Sequence, residues 1–115
     1  MRDINKVLRR IKRFRDDRDW MQFHNPKELA AAISVEAAEL LQLFLWINSE
    51  KVADCTRQKR HQIGEEIADI AIYLLELADN LQIDLARAIE DKLRLNAKRY
   101  PAGKAKGKAL KYTEL

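Results

Sequence analysis

Glu36-Ala37-Ala38-Glu39-Leu40-Leu41 and Glu66-Ile67-Ala68-Asp69-Ile70-Ala71 share one pattern: two carboxylates three residues apart in an otherwise apolar run. Residues three apart lie on the same face of an α-helix, so each stretch aims its acid pair at a single point. Around the first stretch, Leu29, Ile33, Ala37, Leu40, Phe44 and Ile47 recur at helical spacing. Around the second, Ile63, Ile67, Ile70, Leu74, Leu77 and Leu81 do the same. The spacing predicts helices over about 26–47 and 59–81, with all four acids at the edges of the two apolar stripes. Val35, Ala38 and Leu45 on one helix, and Ala68, Ile72 and Leu75 on the other, add a second apolar side. Helices apolar on two sides are buried on two sides. In a chain of 115 residues that predicts self-association.

Working outward, Ile4, Val7, Leu8, Ile11 and Phe14 form the apolar face of a first helix that fades near Trp20. Trp20-Met21-Gln22-Phe23-His24 has no helical period and reads as an ordered loop. Asn25 then offers an N-cap, Pro26 suits the first helical position, and Glu28 adds an acid to the first turn. Residues 48–58 read as a polar connector with a helical turn at Ser49. Asp84 caps a fourth helix that Pro101 stops. Beyond it lies a Gly- and Lys-rich tail in which Leu110, Tyr112 and Leu115 offer something to dock, expected to be mobile unless a neighbour pins it.

Three Gly and two Pro supply little turn chemistry, which favours a few long helices over a sheet. The lone Cys55 cannot form an internal disulfide, and no run suits a signal peptide or membrane span, so a cytoplasmic protein is expected. The net charge of +4 hides a segregation, because residues 1–18 and 98–115 are strongly basic and the centre is acidic. Basic ends around an acidic centre suit an anionic ligand held through a divalent metal.

Four acids packed against core stripes repel one another unless something positive sits among them. No base follows Lys27 in the second helix or Arg60 in the third, and Lys92 and Arg94 are too few for four acids. A hard divalent cation is the remaining solution. All-oxygen ligands select Mg²⁺, with Mn²⁺ as a substitute, over zinc. Mg²⁺ completes its shell with water and phosphate oxygens, which implies a phosphorylated substrate. Trp20, Phe23, His24 and Trp46 offer aromatic faces that could stack a nucleobase. Glu65, Glu76 and Asp79 read as ordinary solvated acids.

The stretch Arg18-Asp19-Trp20-Met21-Gln22-Phe23-His24-Asn25-Pro26 resembles the substrate-side loop of MazG-like nucleoside triphosphate pyrophosphohydrolases, above all their small dCTP pyrophosphatase branch. The ordered set Glu36, Glu39, Glu66 and Asp69 is similar to that superfamily's metal motif. Ile72-Tyr73-Leu74 and Lys92 through Asn96 to Arg99-Tyr100-Pro101 are similar to its later signatures. The resemblance implies an all-α, four-helix-bundle-like fold assembled as a dimer or dimer of dimers. It implies an Mg²⁺-dependent enzyme that cleaves a deoxynucleoside triphosphate, pyrimidine-leaning, to monophosphate and pyrophosphate. The four acids would bind metal, and one would help activate water. Trp20, His24, Trp46 and Tyr73 would line or adjoin the base pocket, and Lys92 and Asn96 would contact phosphates or sugar. Residues 1–101 would form the catalytic domain and 102–115 a basic tail. The competing reading is a non-enzymatic helical module that binds nucleic acid through its basic ends, and it leaves the four acids unexplained.

Overall fold

The computed structural model describes residues 3–115, and among these there is no strand. Six α-helices follow in order: α1 Ile4–Asp17, α2 Pro26–Gln42, α3 Val52–Gln58, α4 Arg60–Asn80, α5 Leu85–Arg99 and α6 Ala102–Ala105. The fold is all-α, as the spacing predicts. The chain packs as two units, the first ending at Gln82 and the second running Ile83–Leu115.

In the first unit α2 packs chiefly on α4, and α1 lies on α4 as well. The helix starts follow from their caps. The Asp3 side chain accepts from the Asn5 amide at 2.9 Å, and the Asn25 side chain accepts from the Glu28 amide at 2.9 Å with Pro26 opening α2. Leu29 and Cys55 are buried, but Leu41, Ile67 and Leu74 of the two central helices are 65%, 53% and 44% exposed.

Helix α2 stops at Gln42, short of the predicted Ile47, and the reason lies in residues further along the chain. Continuing the helix would give the Leu43 carbonyl to the Ile47 amide. Instead Lys59 Nζ donates to that carbonyl at 3.0 Å and the Cys55 thiol at 3.4 Å, while the Ile47 amide turns to Phe44 at 3.1 Å. Trp46 then takes a left-handed backbone, φ 63°, and its side chain is 91% exposed. It therefore lies beyond the end of α2, outside the helix that carries Glu36 and Glu39. The connector that follows is mostly helical, a 3₁₀ turn at Ser49–Lys51 leading into α3.

The loop after α1 is built on a second left-handed residue, Asp19 with φ 55°. The Trp20 amide donates back to the Arg15 carbonyl at 3.1 Å, and the Gln22 side chain bridges to the Asp19 carbonyl and carboxylate at 3.0 and 2.9 Å. A 3₁₀ turn over Met21–Phe23 then delivers His24 and Asn25 to the start of α2.

Within the second unit, Asp84 caps α5 by accepting from the Arg87 amide at 3.1 Å. The tail is held rather than free, because Tyr112 meets Tyr100 edge-to-face with ring centroids 6.0 Å apart. The Arg99 guanidinium lies 4.9 Å from the Tyr112 centroid.

Candidate metal centre and its neighbouring cavity

Packing α2 on α4 brings the acid pairs together. One carboxylate oxygen each from Glu36, Glu39 and Glu66 lies within 4.8 Å of the others. Burial, a shared hydrogen with Glu39, and the charges of Glu39, Asp69 and Glu66 push the Glu36 carboxyl up to about 7. Glu66 is raised too, by burial first and then by the charge of Glu39. Asp69 stands outside the closest trio, yet its charge acts on both neighbours.

Two oxygens decide what the cluster can hold. Glu36 Oε2 and Glu66 Oε2 are buried with no hydrogen-bond partner. A buried carboxylate oxygen left unbonded is costly, and in a native site it calls for an ion or ordered water. Three carboxylates converging with bare oxygens, and no His or Cys among them, fit a hard divalent cation.

The sign of the proton linkage follows. A carboxyl whose folded value exceeds its ordinary 4.5 holds a proton better in the folded state. Stability from this group is present below 4.5 and lost as pH rises through about 7. The metal-free protein is therefore expected to unfold at lower urea at pH 8 than at pH 5, with excess Mg²⁺ flattening the trend. A urea midpoint that climbed over that interval would contradict the carboxylate crowding.

Beside the acids, α1, the loop and α4 enclose a largely apolar cavity of about 600 Å³. Asp69, Tyr73, Trp20 and His24 line it, together with Phe14 and Ile11 of α1. Its aromatic rings form a file. Phe14 and Trp20 meet edge-to-face at 5.7 Å, Trp20 and His24 lie 6.3 Å apart, and His24 and Tyr73 meet at 6.3 Å. The Tyr73 phenol is pushed up by burial and then by Glu36, Asp69, Glu76 and Glu39, so it keeps its hydrogen as a donor. Such a cavity, apolar with a few polar groups at one end, has the size and chemistry of a small-ligand site.

The remaining predicted residues are placed differently. Trp46 is absent from the cavity wall formed by its own chain. Lys92 and Asn96 sit one turn apart on α5, in the second unit.

The reading of Glu76 as a solvated acid is corrected. It is 1% exposed, and its Oε1 accepts from Arg15 Nη1 at 3.2 Å and contacts His24 Nδ1 at 2.7 Å. The sequence held a signal for this: Arg15 follows Ile11 by one turn, on the apolar stripe of α1 rather than its basic face. Asp79 is paired with Lys12 at 3.1 Å and Glu65 with His61 at 2.6 Å, both nearer the surface.

Residues 31–115 match the MazG-like family. The chain belongs to the MazG-like family. Its relatives include dCTP pyrophosphatase 1 of Rattus norvegicus, 39% identical over 97% of this chain and 67% of the relative. The same enzyme of Homo sapiens is 38% identical over the same shares. Among solved structures, a pyrophosphatase from Archaeoglobus fulgidus superposes with a TM-score of 0.84 at 37% identity, covering 88% of this chain and 94% of that one. The MazG-like match spans α4, all of α5 and most of α2, and so includes all four acids, Tyr73 and the Lys92–Asn96 turn.

Proposed function

We propose that this chain hydrolyses a pyrimidine deoxynucleoside triphosphate, with dCTP or a modified dCTP as the leading candidate, to the monophosphate and pyrophosphate with Mg²⁺ as cofactor. At the level of class it is a nucleoside triphosphate pyrophosphohydrolase, in keeping with its family and its dCTP pyrophosphatase relatives. The observation that carries the finer reading is the convergence of Glu36, Glu39 and Glu66, two of them with bare buried oxygens, next to an aromatic cavity.

In this reading Glu36, Glu39, Glu66 and Asp69 hold the cation. Bound Mg²⁺ supplies charge neutralisation of the phosphates and a more acidic water. One of the four carboxylates takes the proton of the attacking water. Trp20, His24 and Tyr73 bind the base in the cavity, which keeps the triphosphate facing Asp69. Lys92 and Asn96 contact phosphates or sugar. Trp46, exposed on its own chain, reaches a base pocket only if a second copy brings it there. That need, and the half-open apolar stripes of α2 and α4, support a homodimer or dimer of dimers. Among the described residues no helix is long and apolar enough to cross a membrane. We place the enzyme in the cytoplasm, with Cys55 as a free thiol.

Product identity tests the proposal. Incubated with each deoxynucleoside triphosphate and Mg²⁺, the protein should yield monophosphate and pyrophosphate by phosphorus NMR, fastest with dCTP or a modified dCTP. Release of orthophosphate and a diphosphate would overturn the proposed bond cleavage.

A further inference from the structure

Among the described residues, Glu76 is the most deeply buried charged side chain, and it lies in the polar part of the cavity wall, outside the acid cluster. Glu76 lies behind His24, and Arg15 lies behind Glu76. Arg15 Nη1 donates to Glu76 Oε1 at 3.2 Å and to Asn80 Oδ1 at 3.2 Å, while its Nε donates to Asp16 at 2.8 Å. The guanidinium has no lone pair to offer, so Glu76 Oε1 stands as an acceptor toward it. The same oxygen lies 2.7 Å from His24 Nδ1. Two groups at that distance need one hydrogen between them, and it must come from the imidazole.

Resting on the nucleotide reading above, we propose that Glu76, held by Arg15, is a positioning residue that fixes His24 with its hydrogen on Nδ1 and a bare Nε2 for the ligand. The other tautomer prevails for a free imidazole in water, so this one must be imposed by a partner. Among the described residues no protein group bonds Nε2, and His24 lines the cavity between Trp20 and Tyr73. A bare ring nitrogen accepts a hydrogen and repels an oxygen lone pair. It therefore favours a base with an exocyclic amine, such as cytosine, over one with a carbonyl oxygen at the same position, such as thymine or uracil. The network would thus set base preference through His24, from the end of the cavity wall that Arg15 and Glu76 form.

The test has two arms. In protein labelled with ¹⁵N in its histidine rings, two-bond ¹H–¹⁵N spectra at neutral pH should show His24 with a protonated Nδ1 and an unprotonated Nε2. A hydrogen on Nε2, alone or on both nitrogens, overturns the proposal whatever the enzyme hydrolyses. The second arm is the double variant Arg15→Met with Glu76→Gln, which removes both buried charges together and leaves neither unpaired. Its amide can accept or donate, so the tautomer is no longer imposed. KM for dCTP should rise roughly tenfold, the loss of about one hydrogen bond, with a smaller change in kcat. The preference for dCTP over dTTP should shrink by a similar factor. An unchanged preference in a folded variant overturns the proposal. If the wild type cleaves no nucleotide, the proposed function fails, and the spectrum still decides the tautomer.

Discussion

Glu39→Gln is expected to lower kcat by about 10³-fold, the scale on which single groups that stabilise transition-state charge act. Glu39 offers an oxygen within 4.8 Å of those of Glu36 and Glu66, and its charge helps raise both neighbours. The amide is nearly the same size, so packing of α2 on α4 should survive. What is lost is one negative ligand. The same substitution should leave the metal-free protein at least as stable as wild type, because it removes a charge that Glu36 and Glu66 feel. Excess Mg²⁺ should raise the melting temperature of the wild type and much less that of the variant. Full turnover in Glu39→Gln would mean that the carboxylates are not a metal cage.

Arg15→Met alone should cost on the order of 3 kcal/mol, since it leaves Glu76 buried beside His24 without its cation. Glu76 is 1% exposed and cannot turn to water without opening the contact between α1 and α4. Adding Glu76→Gln should restore most of that loss, because an amide is less costly to bury than an unpaired carboxylate. Urea unfolding of the single and double variants at one fixed protomer concentration measures the difference. Equal stability of the two would show that the ion pair does not hold α1 in place.

Much of this was legible in the sequence. Period and capping residues placed α1, α2, α4 and α5 to within a few residues, since Asn25, Pro26 and Asp84 act locally. The convergence of the acid pairs followed from their position on the edges of stripes that had to pack. Three things were not legible, and each depends on a partner remote in sequence. Helix α2 ends where it does because Lys59 and Cys55 claim the Leu43 carbonyl from sixteen and twelve residues away. Glu76 looked like any helical acid because its cation lies sixty-one residues earlier. The tail offers Leu110, Tyr112 and Leu115 for docking, but which neighbours hold it, Tyr100 and Arg99 against Tyr112, has no periodic signature.

The left-handed backbone at Asp19, φ 55°, bears on how the pocket can evolve. That angle turns the chain after α1 so that Trp20 comes back against Phe14, and His24 beyond it meets Tyr73. Asp, Asn and Gly adopt it readily, whereas a β-branched side chain meets its own carbonyl. Selection can therefore exchange the rings that touch a base, or Ile11 behind them, while position 19 stays confined to a few residue types. The contacts of this pocket are free to diverge within a frame fixed by one residue that faces no ligand.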